Sequence, residues 1–139
     1  VLDCSVNFSI SPETQVIDFG KFNLLDIRRH TMSKTFSIKT TKSQNDQCTD
    51  GFKVSSSFYT EETLVEEDKA LLIGNGLKLR LLDENASPYT FNKYAEYADF
   101  TSDMLIYEKT YTAELSSIAG TPIEAGPFDT VVLFKINYN

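Results

Sequence analysis

Residues able to do chemistry are few and scattered in this chain. His30 is the single histidine, and it sits beside Arg28 and Arg29 in a polar stretch that reads as surface or turn. A lone histidine can serve a Ser–His–Asp site, but no GxSxG elbow is present to hold a nucleophile. Neither a P-loop nor a GxGxxG stretch occurs. Gly74-Asn75-Gly76 is too short to cradle a phosphate and suits a tight turn, which needs positive φ angles. Carboxylates are plentiful, yet no spacing singles out a pair for glycoside hydrolysis. Glu61, Glu62, Glu66, Glu67 and Asp68 lack the alternating oxygen ligands and turn glycine of a calcium loop, so they read as a solvated charge run. The expectation is a protein without catalytic residues, metal ligands or a cofactor.

The two cysteines, Cys4 and Cys48, have no CxxC spacing, which argues against a metal knuckle or a redox motif. Two readings stand. One is a disulfide formed in an oxidising compartment, for which loop entropy alone gives about 4 kcal/mol. The other is a pair of buried free thiols. Asn7-Phe8-Ser9 and Asn85-Ala86-Ser87 match the glycosylation sequon, but the first falls inside an alternating, strand-like stretch.

A length of 139 residues fits one domain, taken as 1–139, and 41% apolar content is enough for a core. Ten Phe and seven Tyr, with no Trp, favour pleated, half-buried surfaces. The net charge of −7 argues against nucleic acid and anionic membrane, both of which need a basic face. No apolar run approaches the ~18 residues needed to span a bilayer. With no signal peptide at its start, Val1 is expected to begin a mature or excised domain.

Period-2 alternation recurs along the chain, the mark of half-buried strands. Cys4, Val6, Phe8 and Ile10 oppose Ser5, Asn7, Ser9 and Ser11 until Pro12 stops the run. Residues 16–19 resume extended structure before Gly20, residues 35–42 set Phe36 and Ile38 against Ser37 and Lys39, and Phe52, Val54, Ser56 and Phe58 alternate again. Residues 70–73 and 77–81 predict a hairpin about Gly74-Asn75-Gly76, and residues 83–88 a polar turn. Residues 89–103 predict a short helix or an irregular loop, and residues 107–115 another strand. Seven or eight short strands with turns between them make an antiparallel β-sandwich of Ig-like proportions.

The C-terminus is the most informative stretch. In the final strand, residues 131–138, Val132, Phe134, Ile136 and Tyr138 form one wholly apolar face against Leu133, Lys135 and Asn137. The chain stops at Asn139, and only three residues precede Cys4. An Ig-type sandwich ordinarily closes with a seventh strand, so one reading is a sheet missing a strand, with an apolar groove and an unpaired edge. An ordinary terminal strand in a complete sheet is the other.

These residues resemble those of chaperone–usher pilins, the subunits of bacterial fimbriae. Tyr138 is the penultimate aromatic, Ile136, Phe134 and Val132 alternate before it, and Gly126 lies fourteenth from the end counting Asn139 as first. The Cys4 and Cys48 positions are similar to those of the family's disulfide. Val16-Ile17-Asp18-Phe19-Gly20 resembles its early V-D-F-G stretch, and residues 76–88 resemble its central G-L-x-L-x-L-L-D-x-x-x-x-P stretch. The segment before Cys48 departs from the family in being longer and more polar.

The resemblance implies an incomplete Ig-like antiparallel β-sandwich, lacking its last strand and completed by a donor strand. Val6, Phe8 and Ile10, with Val132, Phe134, Ile136 and Tyr138, would line the groove. A periplasmic chaperone would fill it first, its basic residues holding the terminal carboxylate of Asn139. At the usher, the N-terminal extension of a neighbouring pilin subunit would replace the chaperone strand. The short lead before Cys4 resembles the C-terminal pilin domain of a two-domain tip adhesin, with a lectin domain preceding it on the full-length chain; an excised or truncated shaft subunit would look the same. Such a protein passes through the periplasm to an extracellular fimbrium. The alternative from a different class is a carbohydrate-binding module, with Tyr94, Tyr97 and Tyr107 stacking on sugars.

Overall fold

A computed structural model describes residues 4–48 and 50–138. Among these, nine strands and one short helix follow in order: β1 (Val6–Ser11), α1 (Leu24–Arg29), β2 (Met32–Gln44), β3 (Phe52–Tyr59), β4 (Leu64–Val65), β5 (Ala70–Gly74), β6 (Leu77–Leu82), β7 (Ala95–Phe100), β8 (Ile106–Ser117) and β9 (Leu133–Tyr138). Two antiparallel sheets result, one ordered β1-β2-β8-β6-β5-β4 and one ordered β7-β3-β9.

The core lies between the sheets and follows the alternation. On β6, Leu77, Leu79 and Leu81 are buried while Lys78 and Arg80 face out. Arg80 pairs with Glu114 of the adjacent β8, and Lys78 reaches Glu66 at 2.6 Å. From β8, Tyr111 is buried against Phe36, Phe58, Tyr89 and Phe134. Asn75, at φ 57°, and Gly76, at φ 76°, turn the β5–β6 hairpin. The Cys4–Cys48 disulfide forms, with its Cα atoms 4.6 Å apart, and ties the lead into β1 to the end of β2.

Three stretches differ from the sequence reading. Residues 95–100 form a strand rather than a helix or loop. A bulge at Tyr97, which has no register partner opposite the Val54–Ser55 step of β3, breaks the period, so Tyr97 and Ala98 are both buried and strict alternation is lost. Residues 16–19 join no ladder among the described residues; Ile17 and Phe19 pack on the core while Val16 is 85% exposed. A helix also forms where none was read. The Asn23 side chain accepts the Asp26 N–H at 2.9 Å as its N-cap, Arg28 and Arg29 occupy its last turn, and buried Ile27 anchors it.

β2 carries polar side chains on its core face. Thr40 bonds the Tyr97 hydroxyl at 2.8 Å, buried Lys42 donates to the Thr101 carbonyl at 2.7 Å, and Gln44 donates to Ser102 at 3.3 Å. These bonds link the first sheet to β7 and to the loop that follows it, and those of Thr40 and Lys42 satisfy groups that would otherwise be costly to bury.

Burial raises the pKa of four tyrosine hydroxyls. Tyr111 and Tyr89 are pushed well above the ordinary value, Tyr89 also by the charges of Asp83 and Glu84. Tyr107 is raised as well, and so is Tyr97, although its bond to Thr40 offsets part of the burial. In the unfolded chain these groups ionise near pH 10, so there the unfolded state binds fewer protons than the folded one. Stability is therefore intact below about pH 10 and falls as pH rises beyond it. Titration followed at 295 nm should show these tyrosines ionising together with loss of near-UV circular dichroism. Ionisation that leaves the near-UV signal intact would contradict their burial.

Candidate groove between the edge strands

β1 closes one edge of the six-stranded sheet and β9 one edge of the three-stranded sheet. Each pairs on one side only among the described residues, β1 with β2 and β9 with β3. The far edge of the larger sheet is managed differently, since β4 is only two residues long and offers little template for pairing.

Most inward-facing side chains of the central strands are buried, with Ile38 at 6%, Leu79 at 6% and Tyr111 at 1%, while Phe36 and Phe52 are half-buried. Along the two edge strands the inward-facing side chains are not buried. Val6, Phe8 and Ile10 on β1 are half-buried, as are Phe134 and Ile136 on β9 and Val132 just before it. Tyr138 is 41% exposed. Phe134 still contacts the core, with ring centroids 5.3 Å from Phe58 and 5.6 Å from Tyr97. The walls meet where Phe8 lies 4.5 Å from Tyr138, beside Phe52. Asn139 lies outside the described residues.

Both walls continue beyond the strands. Residues 12–23 leave β1 and residues 123–132 lead into β9, and between them lies an open cavity of about 740 Å³ whose lining includes Ile17, Phe19, Leu77, Ile123 and Phe128. A second apolar cluster of Ile27, Leu77, Leu115 and Ile123 floors this end of the sandwich, with Phe19, Phe22 and Phe128 packed against it. Sequence reasoning missed this cavity; Ile17 and Phe19 of the V-I-D-F-G stretch were its only local signal.

Other candidate residues fall elsewhere. His30 is exposed at the C-cap of α1. Glu66, Glu67 and Asp68 take left-handed backbone, φ 57°, 57° and 66°, and Glu66 is engaged by Lys78. Of the three tyrosines considered for sugar stacking, Tyr97 is buried and Tyr107 is half-buried against it at 5.0 Å, while Tyr94 is 48% exposed. No shared stacking platform results.

The molecule is thus an Ig-like β-sandwich whose two edge strands leave apolar inner faces incompletely covered. No family model matches the sequence. Solved structures do. The P pilus rod subunit PapA is 19% identical with a TM-score of 0.74, covering 95% of this chain and 99% of that one. A chaperone–usher pilus whose structure bears on rod uncoiling is 18% identical with a TM-score of 0.68, covering 95% and 87%. The CupB6 tip adhesin from Pseudomonas aeruginosa is 8% identical with a TM-score of 0.53; this chain is covered to 97% and spans 41% of that one. The fold of this chain is the pilin-type Ig-like fold of chaperone–usher pilus subunits.

Proposed function

We propose that residues 1–139 act as one pilin domain, a structural part of a fimbrium that accepts a donor strand between β1 and β9. The observation that carries this reading is the contrast in burial. Ile38, Val54, Phe58, Leu79 and Tyr111 are buried on the central strands, the inward side chains of the two edges are half-buried or, at Tyr138, exposed, and each edge pairs on one side only among the described residues. A strand added there would pair with the β9 edge and press alternate apolar side chains onto Val6, Phe8, Ile10, Val132, Phe134, Ile136 and Tyr138. Main-chain bonds supply affinity in this mode and the pockets supply specificity.

In this reading a periplasmic chaperone supplies the first strand. At the usher, the N-terminal extension of a neighbouring subunit replaces it. No catalysis is assigned to the domain. Its finer placement is as the joint between a tip lectin domain and the fimbrial shaft, a reading supported by the likeness to part of a tip adhesin. The likeness to a rod subunit over nearly its whole length favours a shaft position as the second reading.

Immunogold labelling of fimbriae with antibody against this chain tests both levels. One label at each fimbrial tip is expected. Labels along the shaft would replace the tip placement with the rod placement, and unlabelled fimbriae on cells that export the chain would contradict the fimbrial role.

A further inference from the structure

As a sequence, Gly74-Asn75-Gly76 accounts only for a hairpin turn. In the fold, Asn75 has a second task. Its Nδ2 donates to the Gly126 carbonyl at 3.1 Å and to the Pro127 carbonyl at 3.2 Å, so both amide hydrogens are engaged. Its own carbonyl accepts the Glu124 N–H at 2.9 Å, and the Gly76 carbonyl accepts the Ile118 N–H at 3.2 Å. A Cβ added at Gly76 would stand 2.2 Å from the Pro122 carbonyl oxygen, so turn and loop are in close backbone contact. The turn therefore clasps the loop that forms one wall of the 740 Å³ cavity and leads on to β9.

We propose that Asn75 is a positioning residue for the incoming strand. It holds residues 123–128 so that the cavity stays shaped to take an apolar side chain from the end of a strand running beyond β9. This inference rests on the donor-strand reading, because the cavity lies between the continuations of the two groove walls. The chemistry of the clasp is specific. Aspartate would set a carboxylate against two carbonyl oxygens with no hydrogen between them, and glycine would keep the left-handed turn while removing the donor.

The test uses synthetic peptides with apolar residues at alternate positions. One has six residues, the length of β9; two have about eleven, extended at one end or the other. Wild-type protein should bind one extended peptide at least about tenfold more tightly than the short one. In N75D and N75G that gain should fall below about threefold while affinity for the short peptide stays within about twofold. Retention of the gain in both variants would overturn the proposal, as would equal weakening of short and long peptides, the signature of general damage to the fold. Wild-type binding of the short peptide with no gain on extension also overturns it while leaving the donor-strand reading in place. If wild type binds none of the peptides, the donor-strand reading fails and this proposal with it.

Discussion

Phe134→Asp is expected to abolish recovery of this domain with a pilus chaperone. Phe134 projects from β9 into the sandwich, within ring contact of Phe58, Tyr97 and Tyr111. Losing an aromatic ring from a core costs about 3–5 kcal/mol, and a carboxylate directed at apolar rings adds a desolvation penalty. Phe134 is only half-buried, which places the truncation cost near the low end of that range. Against a typical domain stability of ~5–15 kcal/mol, about 3 kcal/mol plus the desolvation cost removes much of the folded population. The neighbouring Lys135 supplies the control. It faces the other way, with its ammonium 3.9 Å from the centre of the Tyr59 ring, and Lys135→Ala should cost at most about 1 kcal/mol. Co-expression with a chaperone and purification of the complex reads both. Wild-type yield from Phe134→Asp, or equal loss from Lys135→Ala, would contradict the assignment of faces on β9.

The second large effect is expected from the disulfide. Cys4 and Cys48 are separated by 44 residues, and closing a loop of that size in the unfolded chain is worth about 4 kcal/mol. For a domain of this size that corresponds to roughly 12–20 °C in Tm. The local consequence is specific. β1 is an edge strand with a ladder on one side only among the described residues, and Cys4 sits immediately before it. Without the crosslink β1 should fray first, and with it one wall of the groove. A Cys4→Ala, Cys48→Ala variant compared with wild type by thermal melting measures the loss. Hydrogen exchange should show Val6 to Ser11 losing protection before β6 and β8. A variant that melts within about 3 °C of wild type would mean that ladder and packing alone hold β1 in place.

Much of this architecture is legible in the sequence because its strands obey a simple rule. Val6, Phe8 and Ile10 alternate with Asn7, Ser9 and Ser11, and the fold sets them on opposite faces of β1. Leu77, Leu79 and Leu81 do the same on β6. β7 is hidden because its own bulge at Tyr97 lets Tyr97 and Ala98 share the interior, which no period of two describes. α1 is hidden because six residues are too few to display a helical period; only the Asn23 and Asp26 cap pair hints at it. Lys42 reads as a solvent residue from its type. It is buried because the Thr101 carbonyl, far away in sequence, accepts its hydrogen bond and the Phe52 ring lies 5.8 Å away.

The candidate groove was legible as two apolar stripes and not as a place. That Phe8 meets Tyr138 depends on how one sheet sits over the other, which local spacing does not encode. The cavity beside Phe128 and the clasp from Asn75 depend on loops whose residues show no periodicity at all.

The central claim is that the space between β1 and β9 awaits a strand, and a melting curve tests it most directly. The protein is heated alone and with a synthetic donor peptide at about a hundred times its Kd, a level that stabilises a folded state by about 2.7 kcal/mol. The account predicts a rise in Tm of about 10 °C. It also predicts that the rise disappears for a peptide whose alternate apolar residues are replaced by aspartate. A protein that is monomeric and stable alone, with a melting temperature unmoved by any alternating apolar peptide, would contradict it.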